Sequence, residues 1–345
     1  MQSYPRILKG LLVTFLLIFS FLRQADAQDS EPNVNGSSIV FATYAENPEA
    51  LANIALLTES LRTFGGRFST APVWVYVPEG LTDEVLADTV TVNELRATGV
   101  EFRASVTPDD CKWFFYGGKP AAVAQAEVDA LGKKTLLVWM DDDTVFLTEP
   151  SELLLDPTHS FGYRPVMHNR SGTLYDESPI PFWARVYEKL SIPEERLFPM
   201  TSVADKQKIR AYFNCGLMAI RPEKRIMKHW AEDFLQCCRD SVLSRMCHEN
   251  NTWRIFLHQA ALVGAVVNTL PPSELIELSS RYNYPIFFDK QYAATEPYNK
   301  IEDVVTMRTE VLVANGGAEW YRELVGPAEK IDWLRSRLER KSDSE

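Results

Sequence analysis

The segment TLLVWMDDDTVFLTEP, residues 135–150, constrains the fold more than any other part of the chain. Six mostly apolar residues, Thr135–Met140, have the composition of a buried strand. They run directly into Asp141, Asp142 and Asp143, after which Thr144–Leu147 turn apolar again. An apolar run of this length bounded by polar residues suits a central strand of an α/β sheet. The carboxyl ends of such strands form the ligand crevice. Acidic side chains placed there hold a divalent cation against a phosphate-bearing ligand, because hard oxygen ligands suit Mg²⁺ or Mn²⁺. The plainer reading is an acidic turn between two strands, which Asp also favours. Three adjacent like charges repel one another and a turn needs only one, so the cation-binding reading stands ahead.

With 345 residues, 46% of them hydrophobic, the chain can bury one large core or two modest ones. Its net charge of −11 and the lack of a basic stripe with interleaved aromatics argue against a nucleic-acid surface. A phosphate ligand stays open, since a metal can supply positive charge locally. At the N-terminus, Arg6 and Lys9 precede the apolar run Leu11–Leu22, and Ala25-Asp26-Ala27 has the small-x-small form of a cleavage site. That is the layout of a secretory signal over residues 1–27, implying export, or a Golgi-type lumen in a eukaryote. The alternative is an uncleaved signal-anchor, giving a single membrane pass and membrane association through the N-terminus, with residues 28–36 as a polar stem. Residues 37–345 then read as a single domain. The five cysteines, Cys111, Cys215, Cys237, Cys238 and Cys247, allow two disulfides and one thiol, or buried thiols throughout. Cys247-His248 beside Cys237-Cys238 is only a weak zinc pattern. Asn35, Asn169 and Asn250 head glycosylation sequons, meaningful in a eukaryotic host.

Along the chain, Ser38–Thr43 reads as a first strand. A helix follows, with Asn47 as N-cap, Pro48 at its first position and Gly65-Gly66 as its stop. Val73–Val77 is the next strand, then come a helical stretch from Thr82 and a short strand at Val100–Arg103. Gly117-Gly118-Lys119-Pro120 opens an alanine-rich helix running to about Leu131. A glycine pair and a lysine at a helix start can hold an anion, although a solvated loop lysine explains the same residues. Strand, helix, strand, helix, strand predicts a mainly parallel, Rossmann-like mixed sheet flanked by helices. After Pro150, Ser160–Arg164 reads as a strand, Asn169–Pro181 as turns, Phe182–Leu190 as a helix and Pro193–Lys208 as an irregular covering loop. Tyr212–Ile220 returns to strand, and Gly216 inside it marks close approach of a ligand or backbone. Pro222 starts a helix with a core stripe of Ile226, Met227, Trp230 and Phe234. Ile255–Val267 is an apolar helix whose polar pair His258-Gln259 faces either a crevice or a satisfied core position. Leu278–Phe288 is rich in aromatics, and residues 327–340 form a charged terminal helix.

Taken together, three segments resemble the nucleotide-diphospho-sugar transferases of the glycosyltransferase A type. They are the strand ending in Asp141-Asp142-Asp143, the run FNCGLMAIRPE at Phe213–Glu223, and the helix bearing Gln259 followed by Arg281-Tyr282-Asn283-Tyr284. The resemblance spans roughly residues 38 to 290. It implies an enzyme that moves a sugar from a nucleotide-diphosphate donor to a glycan, protein or lipid acceptor. Asp141 and Asp143 would coordinate Mn²⁺ or Mg²⁺ bridging the donor phosphates, with Asp142 and Lys119 on the donor side. Thr43 and Tyr44 would lie against the nucleotide base, Asn214 and Gly216 would face the donor sugar or acceptor, and Gln259 would sit across the pocket. The chain departs from the family pattern in two places. His258 stands where an acidic residue precedes the glutamine, and the later metal-binding histidine has no counterpart, its region reading Val313-Ala-Asn-Gly-Gly317 with Asn315.

Two other readings use the same residues. LLVWMDDDTV fits the first motif of haloacid-dehalogenase-type phosphatases, with Asp141 as nucleophile and Asp143 as general acid/base. No later acidic motif of that family follows, and the motif falls about a hundred residues into the fold. A non-catalytic module that keeps the nucleotide-sugar pocket without turnover is the third reading.

Overall fold

The computed structural model describes residues 38–285, 301–309 and 324–342. Backbone contacts divide the chain into Met1–Asn35 and Gly36–Glu345. The signal segment and polar stem expected over residues 1–36, together with Asn315, fall outside the described residues.

Apolar strands build the frame. A seven-stranded sheet runs in the order β10-β6-β9-β4-β1-β2-β3, formed by β1 (Ile39–Tyr44), β2 (Val73–Pro78), β3 (Val100–Ser105), β4 (Leu136–Met140), β6 (Phe161–Pro165), β9 (Phe213–Ile220) and β10 (Leu275–Glu277). β1 pairs in parallel with β2 and β4, β2 with β3, and β6 with β10, whereas β9 runs antiparallel to both β4 and β6. This is the mixed, mainly parallel sheet that the alternating pattern predicts. Its central strands are buried on both faces, as parallel strands covered by helices must be. Val40, Ala42, Leu137 and Trp139 point into one core and Ile39, Phe41, Val138 and Met140 into the other, the two-residue period of a strand.

Helix α1 (Ala50–Phe64), with Leu51, Ile54, Leu57 and Leu61, covers one face beside α3 (Thr89–Ala97), which follows the single turn α2 (Thr82–Val85). On the other face lie α4 (Lys119–Ala130), α5 (Pro181–Lys189), α6 (Ile226–Cys238), α7 (Ser241–Glu249) and α8 (Asn251–Thr269). A three-stranded sheet joins β5 (Thr144–Phe146), β11 (Tyr284–Pro285) and β12 (Thr306–Arg308), with β12 antiparallel to β5. The terminal helix is α9 (Ala328–Ser342). None of the described helices is long and apolar enough to cross a membrane.

Three local expectations shift. Asn47 does cap, its side chain accepting from the Ala50 N–H at 3.1 Å, but regular helix begins at Ala50 rather than Pro48. The stretch after Pro193 is not wholly irregular: β7 (Pro199–Thr201) pairs with β8 (Lys208–Arg210) as an antiparallel ribbon. Pro222 opens a 3-10 turn, and α6 proper starts at Ile226 after Arg225 takes a left-handed conformation at φ 58°. All five cysteines are buried thiols.

The start of α6 shows how polar groups are satisfied inside this core. Glu127 of α4 is fully buried, and its two carboxylate oxygens accept from the Met227 and Lys228 N–H groups at 3.0 and 2.9 Å. The carboxylate thus completes two donors that no residue of α6 can reach, and it favours the positive end of the helix dipole. Replacing Glu127 by Ala strands both donors in the core and should cost about 3 kcal/mol. Urea unfolding followed by far-UV circular dichroism measures it, and a loss under about 0.5 kcal/mol would remove this account of the α4–α6 junction.

Candidate active site

Strand β4 ends at Met140, and the chain turns through the three aspartates into β5. The Asp141 N–H donates to the Gly216 carbonyl at 2.8 Å, so β4 and β9 stay paired to the lip of the crevice. Close approach explains the glycine. A Cβ on Gly216 would lie 2.9 Å from Asn214 Oδ1 and 3.0 Å from Asp141 Oδ2, so neighbours would have to move. Asn214 is locked beside it, its Oδ1 accepting from the Gly216 N–H at 2.7 Å and from Asn283 Nδ2 at 3.0 Å. Gly118 works similarly at the start of α4, where a Cβ would collide with the Tyr44 hydroxyl.

Charge is concentrated around the aspartates. Lys119, only 7% exposed, places Nζ 2.5 Å from Asp141 Oδ1. From β12, Arg308 places Nη2 3.2 Å from Asp141 Oδ2 and 3.0 Å from Asp143 Oδ2, while its Nε lies 3.2 Å from both Asp143 oxygens. Burial pushes the Asp141 carboxyl up, but Lys119 and then Arg308 outweigh it and hold the group below the usual carboxylate range. Burial likewise pulls the Lys119 ammonium down, and Asp141 more than restores it. Among the described residues, Asp142 forms no ion pair. It accepts from Asn53 Nδ2 at 3.0 Å and is pushed up to about 7, by burial first and by Asp143 next.

Two cavities meet at this cluster, sharing Tyr116, Lys119, Asp141 and Arg308. One, of about 210 Å³, adds Asn214, Gly216, His258 and Gln259; the other, of about 290 Å³, adds Tyr44, Asn53, Asp142 and Asp143. Every sequence-expected site residue except Thr43 therefore lines one crevice. Thr43 is fully buried and lines neither cavity, because the strand's alternation turns it away while Tyr44 emerges.

Behind the smaller cavity the polar pair of α8 is satisfied within the wall. His258 Nδ1 lies 2.9 Å from the Ile255 carbonyl and so carries the proton, which leaves Nε2 to accept from the Cys215 thiol at 3.2 Å. Cys215 also reaches Gln259 Oε1 at 3.5 Å. Burial first, and Lys119 second, lower His258 to about 3, and burial raises Cys215 to about 11, so both are neutral near pH 7. Neither is poised as a nucleophile or a general acid.

Sequence reasoning did not single out Arg308, Tyr116 or Asn53. Asn53 lies on an ordinary amphipathic helix. Tyr116 announces itself only by a positive φ of 55°, which a sequence does not display. Arg308 meets Asp143 across 165 residues of chain, beyond any local pattern.

The expected Mn²⁺ or Mg²⁺ at Asp141 and Asp143 meets carboxylates that are already paired. One guanidinium nitrogen occupies the place between Asp141 Oδ2 and Asp143 Oδ2 that a bridging ion would take. An added divalent ion at about 3 Å from that guanidinium would be repelled by on the order of 10 kcal/mol at an effective dielectric near 20, and arginine cannot escape by losing its proton. Among the described residues, no group of three or more His, Cys, Asp or Glu side chains is placed to hold a metal ion. As arranged, these residues do not fit one.

Comparison with known proteins gives a family. The Rhodobacterales glycosyltransferase domain matches residues 41–269, a span that includes the aspartates, Asn214 and Gln259. No curated protein matches the chain. Among solved structures, it is similar to galactosyltransferase LgtC in complex with donor and acceptor sugar analogs, at 13% identity and a TM-score of 0.46, covering 88% of this chain and 95% of that one. It is also similar to the apo form of mouse xyloside xylosyltransferase 1, at 13% identity and a TM-score of 0.43, covering 78% of this chain and 96% of that one.

The neutral state of His258 has a signature in stability. Its pKa is depressed in the folded chain, from 6.5 to about 3, so its contribution is present above pH 6.5 and is lost as pH falls toward 3. Between pH 7.5 and pH 5 the wild type should lose about 2 kcal/mol from this group alone. His258→Asn should show a correspondingly shallower slope in urea titrations over that range. Parallel slopes in the two proteins would rule out a depressed His258.

Proposed function

Because the chain belongs to the Rhodobacterales glycosyltransferase domain family, we propose that it transfers a sugar from a nucleotide-diphosphate donor to an acceptor hydroxyl. The observation that carries this reading is the pair of cavities meeting at Lys119, Asp141 and Arg308, at the carboxyl end of β4. A nucleotide sugar is bipartite, with a nucleoside on one side of a diphosphate and a sugar on the other, and the crevice has the same division.

In this reading the nucleoside lies beside Tyr44, whose far side opens on a further cavity of about 380 Å³. The sugar occupies the space lined by Asn214, Gly216, His258 and Gln259. The diphosphate then falls at the shared cluster, the part of the crevice with buried cations. Transfer breaks the bond between the anomeric carbon and the β-phosphate oxygen, and the electron pair goes to the phosphate. The acceptor oxygen bonds to that carbon, and its proton leaves to the phosphate or to water. Negative charge grows on the leaving diphosphate, and fixed donors aimed at that place lower the barrier. Asn214, held by two hydrogen bonds, has the rigidity needed to orient a sugar hydroxyl.

The phosphatase alternative loses support from the same contacts. A nucleophilic Asp141 would need an oxygen turned to substrate, whereas both of its oxygens face cations at 2.5 and 3.2 Å. We further place the protein on the export route, cleaved or anchored, on the strength of Arg6, Lys9 and Leu11–Leu22.

A panel of nucleotide-diphosphate sugars tests the function by thermal shift and by release of nucleoside diphosphate. The true donor at a hundred times its Kd should stabilise the fold by about 2.7 kcal/mol, and Lys119→Ala should lower kcat/KM for its consumption by about 10²-fold. Donor binding without turnover would leave a binding module. No response to any nucleotide sugar would end the proposal.

A further inference from the structure

The site contains more positive charge than a metal-binding acidic motif requires, and that charge is built in. Lys119 stands at the first position of α4, and Arg308 at the end of β12, so both are fixed by secondary structure. Among the described residues lining the larger cavity, they are the two cations. Each is only slightly exposed, with side chains 9% and 16% accessible, so water does little to screen them. Asp141 and Asp143 are the carboxylates they pair with, while Glu46, Glu49 and Asp142 also line the larger cavity. The sequence leads to two metal ligands and an absent third; the structure puts a guanidinium across the same two carboxylates.

We propose that Arg308, with Lys119, takes the place of the divalent cation, and that Asp141 and Asp143 anchor these side chains rather than ligate a metal. The inference rests on the reading that the crevice takes a nucleotide-diphosphate donor. The chemistry is sufficient for it. A guanidinium presents five N–H donors and an ammonium three, so each can add phosphate contacts to its carboxylate contacts. Arginine matches phosphate oxygens in a bidentate manner and keeps its charge at any working pH. The carboxylates then have a positioning role. They hold two long, flexible side chains at the crevice before donor arrives, so less freedom is lost on binding.

A direct test is Mn²⁺ binding by electron paramagnetic resonance, with and without uridine, guanosine and adenosine diphosphates. The wild-type chain should take up no stoichiometric Mn²⁺ in any of these mixtures. Arg308→Ala, with Asp143 and the Oδ2 of Asp141 released while Lys119 still holds Asp141 Oδ1, should bind one, and Arg308→Lys, which keeps the charge, should again exclude it. Consumption of the donor by the wild type should be unchanged by EDTA, whereas Arg308→His should acquire a Mn²⁺ requirement. One tightly bound Mn²⁺ per wild-type chain, or wild-type activity lost to EDTA and restored by Mn²⁺, would overturn the proposal. So would a folded Arg308→Ala chain that takes up no Mn²⁺. If no nucleotide sugar is bound or consumed with or without metal, the transferase reading falls, and the Mn²⁺ titration still decides the role of Arg308.

Discussion

The buried alternation of charge, Lys119–Asp141–Arg308–Asp143, is the interaction on which the rest of the crevice depends. Its four members come from three structural units: Lys119 from the start of α4, Asp141 and Asp143 from the turn between β4 and β5, and Arg308 from the end of β12. Removing one member of such a cluster leaves a neighbour charged and unpaired in low dielectric, which typically costs about 3–5 kcal/mol. The cluster therefore fixes the small sheet against the large one while it defines the chemistry of the cleft. Apolar contacts share that task, Phe146 of β5 packing on Phe41 of β1 and Leu56 of α1 on Val145 and Met307.

Around this cluster some polar groups are held by neighbours, while Thr43 Oγ1, Trp139 Nε1, Thr144 Oγ1 and Asn283 Oδ1 are buried with no hydrogen-bond partner among the described residues. Asn214 takes two donors, Asp142 is held by Asn53, and the His258–Cys215 contact closes the wall behind the smaller cavity. Side chains held in this way suit recognition better than proton transfer. In the wall of the smaller cavity His258 and Cys215 are neutral near pH 7, whereas Asp142, in the larger cavity, is pushed up to about 7.

Much of this was legible in the sequence because it is encoded locally. The strand before the aspartates, the glycine in β9, the lysine after Gly117-Gly118 and the His258-Gln259 pair all carry signals within a few residues, and all lie around one crevice. What stayed hidden was encoded by contact. β12 is three residues long and has no periodicity to read, so Arg308 looked like any surface arginine. The helix α7 escaped notice because its definition lies in Asp240, which caps Val242 and Leu243 while it pairs with Arg185 from α5. Thr43 was misplaced by one step of strand alternation, the smallest possible error and enough to move a side chain from crevice to core.

The distance in sequence between Arg308 and Asp143, 165 residues, bears on the order of events in folding. Contacts between segments so far apart carry a large closure entropy and form after local structure is in place. Strands β1, β2 and β3 pair neighbours that follow one another in sequence and can consolidate early, and β4 then adds on the far side of β1. Its aspartates then remain without Arg308 until residues 301–309 arrive. A chain released too soon, or clipped before that segment, would keep its acidic turn but not the neutral cluster. Completion of the charge cluster thus comes after the sheet that carries its aspartates has formed.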